Sequence, residues 1–452
     1  MDAQLVNDVH SRLNPTTVDA VARVVSLESI QAALARARKA GKPVSICGGR
    51  HAMGGQQFCT GGLLLDTTRL ARVLTLDLDR GTIEVEAGIQ WPALARALAR
   101  CPLTFAQKQT GANSLSLGGA VSANVHGRGL TMRPFVDDID SLVVVGADGR
   151  VVRCSRERNA DLFALVVGGY GLFGVVYSVT LRLVRRRILE RVVQLTTSGE
   201  LADAFRQRIE EGFVYGDFQF AIDPDVEAFL RDGVFSCYRP VTDRPIPVGQ
   251  RTLSANDWQH LLALAHTDKS RAFDLYAQHY LATSGQLYLS DRHQLAPYLD
   301  GYHDRIGVAG GEMITELYVP RDRLAAFMAG AADALRRGRA NVVYGTVRLI
   351  ERDTDTFLAW ARRTWACIVL NLHVHAGDDG ARHFRALIDL ALAESGSYYL
   401  TYHRHATRAQ ADAAHPRLRE FLACKRDVDP GGVFQSDWYR RQVALFADRR
   451  TA

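Results

Sequence analysis

Three groups of residues in this chain have types and spacings that could do chemistry. The first is Gly48-Gly49-Arg50-His51-Ala52-Met53-Gly54-Gly55, directly after Cys47. Closely spaced glycines leave backbone amides bare for an anion, and a neutral imidazole is a nucleophile near pH 7. The second is residues 110–129, long, nearly uncharged and rich in small side chains. Its Gly111, Ala112, Ser114, Ser116, Gly118, Gly119, Ser122, Asn124 and His126 suit a pyrophosphate and a flat ring, or alternatively a helix-packing surface. The third is Gly169-Tyr170-Gly171-Leu172-Phe173-Gly174, followed by Val175. It matches GxGxxG, but a short helix is expected before it and an alternating strand, 175–184, after it. A dinucleotide fingerprint needs the reverse order, so the match does not indicate NAD.

The second half of the chain offers a different set. Glu316, Tyr318 and Arg348 fall on expected strands, as do Asn371, His373 and His375. By period two the last three share one face, either a solvated one or the wall of an active site. The His373–His375 spacing also suits a metal, but no metal is expected. Further on, Tyr402-His403-Arg404-His405 brings a phenol, two imidazoles and a cation together.

These residues need elements to hold them. Helix is expected over the later part of 17–40, and strands over 44–47 and 63–66. Hairpins are expected at 74–78/82–88 and at 139–146/150–155, with Asp79-Arg80-Gly81 and Ala147-Asp148-Gly149 as their turns. From about residue 187 strands and helices alternate: strands 188–196, 213–222, 315–320, 341–349 and 368–375, helices 256–286, 323–336, 354–363 and 380–393. The fold class expected is α+β.

With 452 residues the chain is too long for one ordinary core. An apolar fraction of 47% and a charged fraction of 23% belong to a globular protein. The net charge of +6 comes from scattered arginines, not from a basic arm, so nucleic acid is not an expected partner. No apolar run is long enough to span a membrane and no leader opens the chain, so a cytoplasmic protein is expected. Seven cysteines without CxxC spacing read as reduced thiols.

The three small-residue loops, in this order between short strands, resemble the FAD-binding domain of the vanillyl-alcohol oxidase/para-cresol methylhydroxylase (PCMH) superfamily. Residues 425–434, Lys-Arg-Asp-Val-Asp-Pro-Gly-Gly-Val-Phe, resemble that superfamily's closing segment. The pattern is most similar to its sugar, aldonolactone and alditol oxidases. The resemblance implies a two-domain PCMH-type fold: an FAD-binding domain over 1–186, an α+β substrate or cap domain over 187–395, and a closing segment, 396–452, near the flavin. It implies that 47–52 and 111–119 wrap the FAD pyrophosphate and that 168–175 lines the adenine and ribityl side. His51 falls where many members bond a histidine to the flavin C8-methyl; a His51 that only hydrogen-bonds is the alternative. No cysteine lies between Cys101 and Cys154, which argues against a second covalent bond.

The implied activity is oxidation of a CH–OH group of a sugar, lactone, polyol or other alcohol, with O2 or another acceptor reoxidising the flavin. His403 or His373, or Tyr402, is the expected base, and Arg348 or Arg404 the expected cation at the flavin N1–C2=O edge. The chain departs from the sugar oxidases in having Arg404 and His405 where they carry a lysine segment. Alternatives are a CH–NH or aromatic alcohol substrate, or an NADPH-dependent reductase of cell-wall precursors.

Overall fold

The computed structural model describes residues 3–295, 310–375 and 380–447. The helix Leu27–Lys39 forms because its apolar residues fall on one face, burying Ile30, Ala33, Leu34 and Ala37. The Ser26 hydroxyl accepts from Ser29 N at its start, and Arg36, Arg38 and Lys39 complement the dipole at its end. The helix covers a small parallel sheet ordered Ala20–Arg23, Leu63–Asp66, Val44–Cys47. The last of these strands delivers the chain into Gly48.

Both expected hairpins belong to a second sheet of five antiparallel strands. Its order is Val151–Ser155, Ile139–Val145, Val175–Arg182, Thr82–Glu86, Val73–Asp77. Gly81 and Gly149 take positive φ at the two turns, as those turns require.

The second half of the chain builds an eight-stranded antiparallel sheet. Its order is Leu287–Leu289, Ile188–Thr197, Asp232–Val241, Tyr215–Phe220, Asn341–Ile350, Trp365–Val374, Gly311–Val319, Ser397–Tyr398. Every residue of Trp365–Val374 is buried, so this strand has no solvent face and does not alternate in burial. Helices Ala255–Thr267 and Lys269–Leu281 pack on one side of the sheet, against Asn341–Ile350, Ile188–Thr197 and Asp232–Val241. Helix Ala381–Ala393 lies against Gly311–Val319 and beside helix Leu324–Gly338. One core cluster, from Ile83 to Trp438, runs through both halves of the chain.

Four expectations need correction. The 256–286 helix is two helices, because Asp268 interrupts it and its side chain caps the second by accepting from Arg271 N. No helix forms over 354–363. There the Asp353 carboxylate accepts from the backbone N–H of Asp355 and Thr356, while Trp360 Nε1 donates to the Asn124 carbonyl 3.0 Å away. Strand Asp232–Val241 was not anticipated, though it pairs on both sides. Residues 110–129 are not all loop, since Leu117–Ala123 is helical and Ser116 caps it. All seven cysteines are free. Among the described residues, no helix is long and apolar enough to cross a membrane.

Candidate functional site

A cavity of about 1000 Å³ lies between the glycine loops and the eight-stranded sheet. Its first wall is mostly backbone and small side chains. Gly48, Gly49, Arg50, His51 and Ala52 come from the first loop. Gly111, Ala112, Ser114, Gly118, Gly119, Ser122 and His126 come from the second, and Gly171 and Gly174 from the third. The first two loops press together: a Cβ on Gly48 would stand 1.9 Å from Ser116 Oγ, and one on Gly49 2.1 Å from the Ser114 carbonyl oxygen. Only glycine allows that approach. The contact also sets His51 Nε2 3.0 Å from Ser114 Oγ. Burial, reinforced by the charge of His10, pulls the His51 pKa down to about 4, so its imidazole is neutral at ordinary pH.

Two buried polar atoms on this wall, Gln109 Oε1 and Thr110 Oγ1, have no hydrogen-bond partner among the described residues. Buried polar groups are rarely left so unless a ligand or water satisfies them. A threonine hydroxyl can donate to a phosphate, and an amide oxygen can accept from a ring N–H or a ribose hydroxyl. With the bare glycine backbone, these groups fit an FAD.

The opposite wall is the sheet. Strand register sets Tyr318 and Arg348 on either side of Cys367, and Glu316 beside Val369, so their side chains share one face. Glu316 Oε1 is 2.5 Å from His126 Nε2, accepts from Tyr318 OH at 2.7 Å, and takes the Cys367 thiol at 3.2 Å. None of these three bonds uses Oε2. Burial alone would raise the Glu316 pKa; His126 and the hydrogen bonds from His126, Tyr318 and Cys367 outweigh it, and the carboxylate stays below its ordinary value. Burial drives Tyr402 the other way, well above the ordinary phenol, with the Glu316 charge adding to it. Arg348 is held above its ordinary value despite burial, by Tyr344 and Asp217. Its Nε has no hydrogen-bond partner among the described residues. The wall therefore presents a charged carboxylate, a neutral phenol and a guanidinium with an unused donor.

The structure brings some of the anticipated residues to this cavity and leaves others out. Tyr402 and Arg348 line it, but His403, Arg404 and His373 do not. His403 belongs to the other side of the sheet: its Nε2 lies 3.1 Å from the hydroxyl of Thr315, which alternates with Glu316, and its ring stacks on Phe384 and Tyr398. Burial and the neighbouring His405 lower its pKa to about 3, which unsuits it as a base at neutral pH. Arg404 stands behind Gly55 and donates to Asn14 Oδ1 at 3.2 Å. His373 is buried beyond the cavity, beside Glu312 and His266.

Five anticipated loop positions support the wall from behind without lining it. Cys47 is buried, and burial pushes its thiol up to about 11. Ser116 caps helix Leu117–Ala123. Asn124 ends that helix at φ 46°, donating to Asp353 Oδ2 and accepting from Val136 N. Gly169 abuts the Leu165 carbonyl, where a Cβ would stand 2.0 Å away, and Val175 is core.

Several lining residues escaped the sequence. Arg128 reaches Asp217 Oδ1 at 3.2 Å, and Arg191 contributes a buried guanidinium farther along the sheet. Asp217 and Gln219 line the cavity as well, and for those two the period-two alternation of Tyr215–Phe220, which puts them on one face, was the available signal. The Glu316–His126 pair, 190 residues apart in the chain, left none.

Comparison with known proteins bears on this geometry. A family profile described as an FAD binding domain matches residues 18–155. The L-gulono-1,4-lactone dehydrogenase of Mycobacterium tuberculosis is 27% identical over 425 residues, covering 93% of this chain and 95% of that protein. The decaprenylphosphoryl-beta-D-ribose oxidase of Mycolicibacterium smegmatis is 22% identical over 95% of this chain and 96% of its own length. L-gulonolactone oxidase of Bos taurus is 27% identical over 207 residues, 46% of this chain and 47% of that protein.

Proposed function

We propose that this chain is an FAD-dependent oxidoreductase of the PCMH type that oxidises a CH–OH carbon of a sugar-derived lactone or polyol. The observation that carries the reading is the buried Glu316–His126 pair, set across one cavity from the glycine loops. FAD, when bound, accepts the two electrons and the carbon-bound hydrogen of the donor. Gly48, Gly49, Gly111, Ala112, Gly118 and Gly119 would hold its pyrophosphate by backbone contacts, and His51 would meet the ring edge, bonded to it or beside it.

The protein's own part is proton handling and positioning. Glu316 is charged and lines the cavity, where its carboxylate can accept the proton of the substrate hydroxyl. His126, Tyr318 and Cys367 fix that carboxylate in place by binding Oε1. Arg348, with its unused Nε–H, steadies negative charge that develops on oxygen, and Tyr402 donates as a neutral phenol. The division into an FAD-binding part up to 186, a substrate-covering part over 187–395 and a closing segment belongs to this proposal. The position of the cavity, between the glycine loops and the eight-stranded sheet, supports it.

The cavity also suggests a substrate longer than one sugar ring. Arg191 lies five strands from Glu316 along the sheet, about 24 Å at ~4.8 Å per strand. It is buried among Tyr238, Tyr280 and Tyr288, and no carboxylate lies within salt-bridge distance of it among the described residues. Trp258, Leu261 and Phe273 give that arm apolar walls. A cation buried without a counter-ion suits an anionic ligand group, so this arm fits a phosphate or carboxylate carried on an apolar extension. The relative named for a decaprenylphosphoryl ribose acts on a donor of that shape.

The test is anaerobic. Purified yellow protein is mixed with L-gulono-1,4-lactone, free polyols and sugar phosphates with apolar aglycones, and the flavin band is followed. Bleaching by one of these donors supports the reading. No bleaching by any of them, with rapid bleaching by NADPH, overturns it in favour of a reductase. Reoxidation by O2 against a dye acceptor then separates oxidase from dehydrogenase.

A further inference from the structure

We propose that His266, Glu312 and His373 form a site for a divalent transition metal of the zinc class, separate from the flavin cavity. The three side chains come from helix Ala255–Thr267 and strands Gly311–Val319 and Trp365–Val374, and they converge where that helix covers the sheet. Their side chains are 5%, 3% and 3% exposed. The donor atoms lie within 4.8 Å of one another.

The distances among the three groups fit ligand spacing better than hydrogen bonding to one another. His266 Nε2 and His373 Nδ1 each lie 3.4 Å from the same oxygen, Glu312 Oε1. A charge-assisted N–H···O bond closes to about 2.7–2.9 Å, so neither contact is a good one. Ligands about 2.0–2.1 Å from a tetrahedral zinc stand about 3.3–3.4 Å apart, which is the spacing both contacts show. The other cluster on this sheet makes the contrast. His126 Nε2 closes to 2.5 Å on Glu316 Oε1, too near for both atoms to be ligands of one metal.

The surroundings also suit a metal. Asn371 donates through Nδ2 to Glu312 Oε2 at 2.6 Å. An outer partner of that kind orients a ligating carboxylate. Lys269, whose charge bears on His266, donates its ammonium to the Val342 carbonyl. Two imidazoles and one carboxylate are a donor set that zinc favours. A bound ion would tie the helix to two strands next to Ala265 and Asn371, both of which line the cavity. The metal would then brace that wall.

The experiment uses the flavin-loaded protein purified without a metal-affinity step. Elemental analysis after incubation with micromolar Zn2+ and gel filtration should return one zinc per chain. Co2+ should give tetrahedral d–d bands at longer wavelength than the flavin absorbs. His266→Ala and Glu312→Gln should abolish both signals at an unchanged FAD-to-chain ratio, and Asn371→Ala should weaken the metal about 10- to 100-fold. Should the alanine variant not fold, Glu312→Gln and the wild-type Co2+ spectrum still decide the matter. Wild-type protein with no stoichiometric zinc and no tetrahedral cobalt spectrum overturns the proposal, as does binding that His266→Ala and Glu312→Gln leave intact.

Discussion

Glu312 and Glu316 sit on one strand and share a face, and each meets a histidine, yet the two carboxylates are built for different work. Glu316 is hydrogen-bonded on one oxygen by His126, Tyr318 and Cys367 and looks into the flavin cavity. Glu312 stands away from that cavity with two imidazoles spaced about its Oε1 at 3.4 Å. Residue type does not separate the pairs; the distance at which each closes does. A carboxylate wrapped in hydrogen-bond donors holds its charge and can take a proton. One with two imidazoles spaced about it at 3.4 Å has the ligand spacing of the metal site we propose.

The largest expected effect breaks the Glu316 side of that comparison. Glu316→Gln removes the proton acceptor and should slow anaerobic flavin reduction by about 10²- to 10⁴-fold with FAD still bound. A stopped-flow rate within a few fold of wild type would remove Glu316 from the chemistry. Arg348→Met leaves the shape but removes the donor. It should cost about 10- to 100-fold in kcat/KM for the donor that bleaches the flavin, read by steady-state kinetics.

Arg191→Met sharpens the account of the cavity's far arm. It should raise KM for anionic donors about tenfold and leave neutral donors unchanged, an estimate that assumes one charge-assisted contact is lost. Equal effects on both donor classes would argue against an anion site there. His403→Phe tests the assignment of that residue to the far side of the sheet: flavin reduction should stay within about threefold of wild type, far from the loss of a general base.

The smallest effect is in stability. His51, His403 and His415 are buried with pKa values lowered by desolvation to about 4, 3 and 3, so each is neutral in the fold. The unfolded chain protonates them below about pH 6.5 and the native state does not, so stability should fall as pH drops from 6.5 towards 4. Each such histidine contributes a slope of up to about 1.4 kcal/mol per pH unit. Urea midpoints measured at pH 7 and pH 5 should differ less in His403→Phe than in wild type; an equal difference would contradict its burial as a neutral ring.

The glycine loops were readable in advance because their chemistry is local. Gly48 and Gly49 are needed where the first two loops press together, and a glycine run shows that need without a partner in sight. The hairpins were readable for the same reason, since alternation and Asp-x-Gly turns are short-range signals. The sheet wall was not. The Tyr402-His403-Arg404-His405 stretch looks like a catalytic cluster in sequence, but the structure gives only Tyr402 to the cavity and packs His403 against Phe384. Helix 354–363 failed similarly, because Asp353 accepts from Asn124 Nδ2 and Trp360 donates to the Asn124 carbonyl, a partner that only the folded chain brings near.

By itself the sequence determined the order of the loops, the alternation of the strands and the fit to a flavin, since each depends on neighbours a few residues apart. Tertiary structure alone decided which polar groups meet. Strand order places Tyr318 and Arg348 on either side of Cys367. Folding of the second loop onto the sheet brings His126 to Glu316 across 190 residues. A carboxylate's role is set by what is within about 3 Å of it, and no periodicity along a chain encodes that distance.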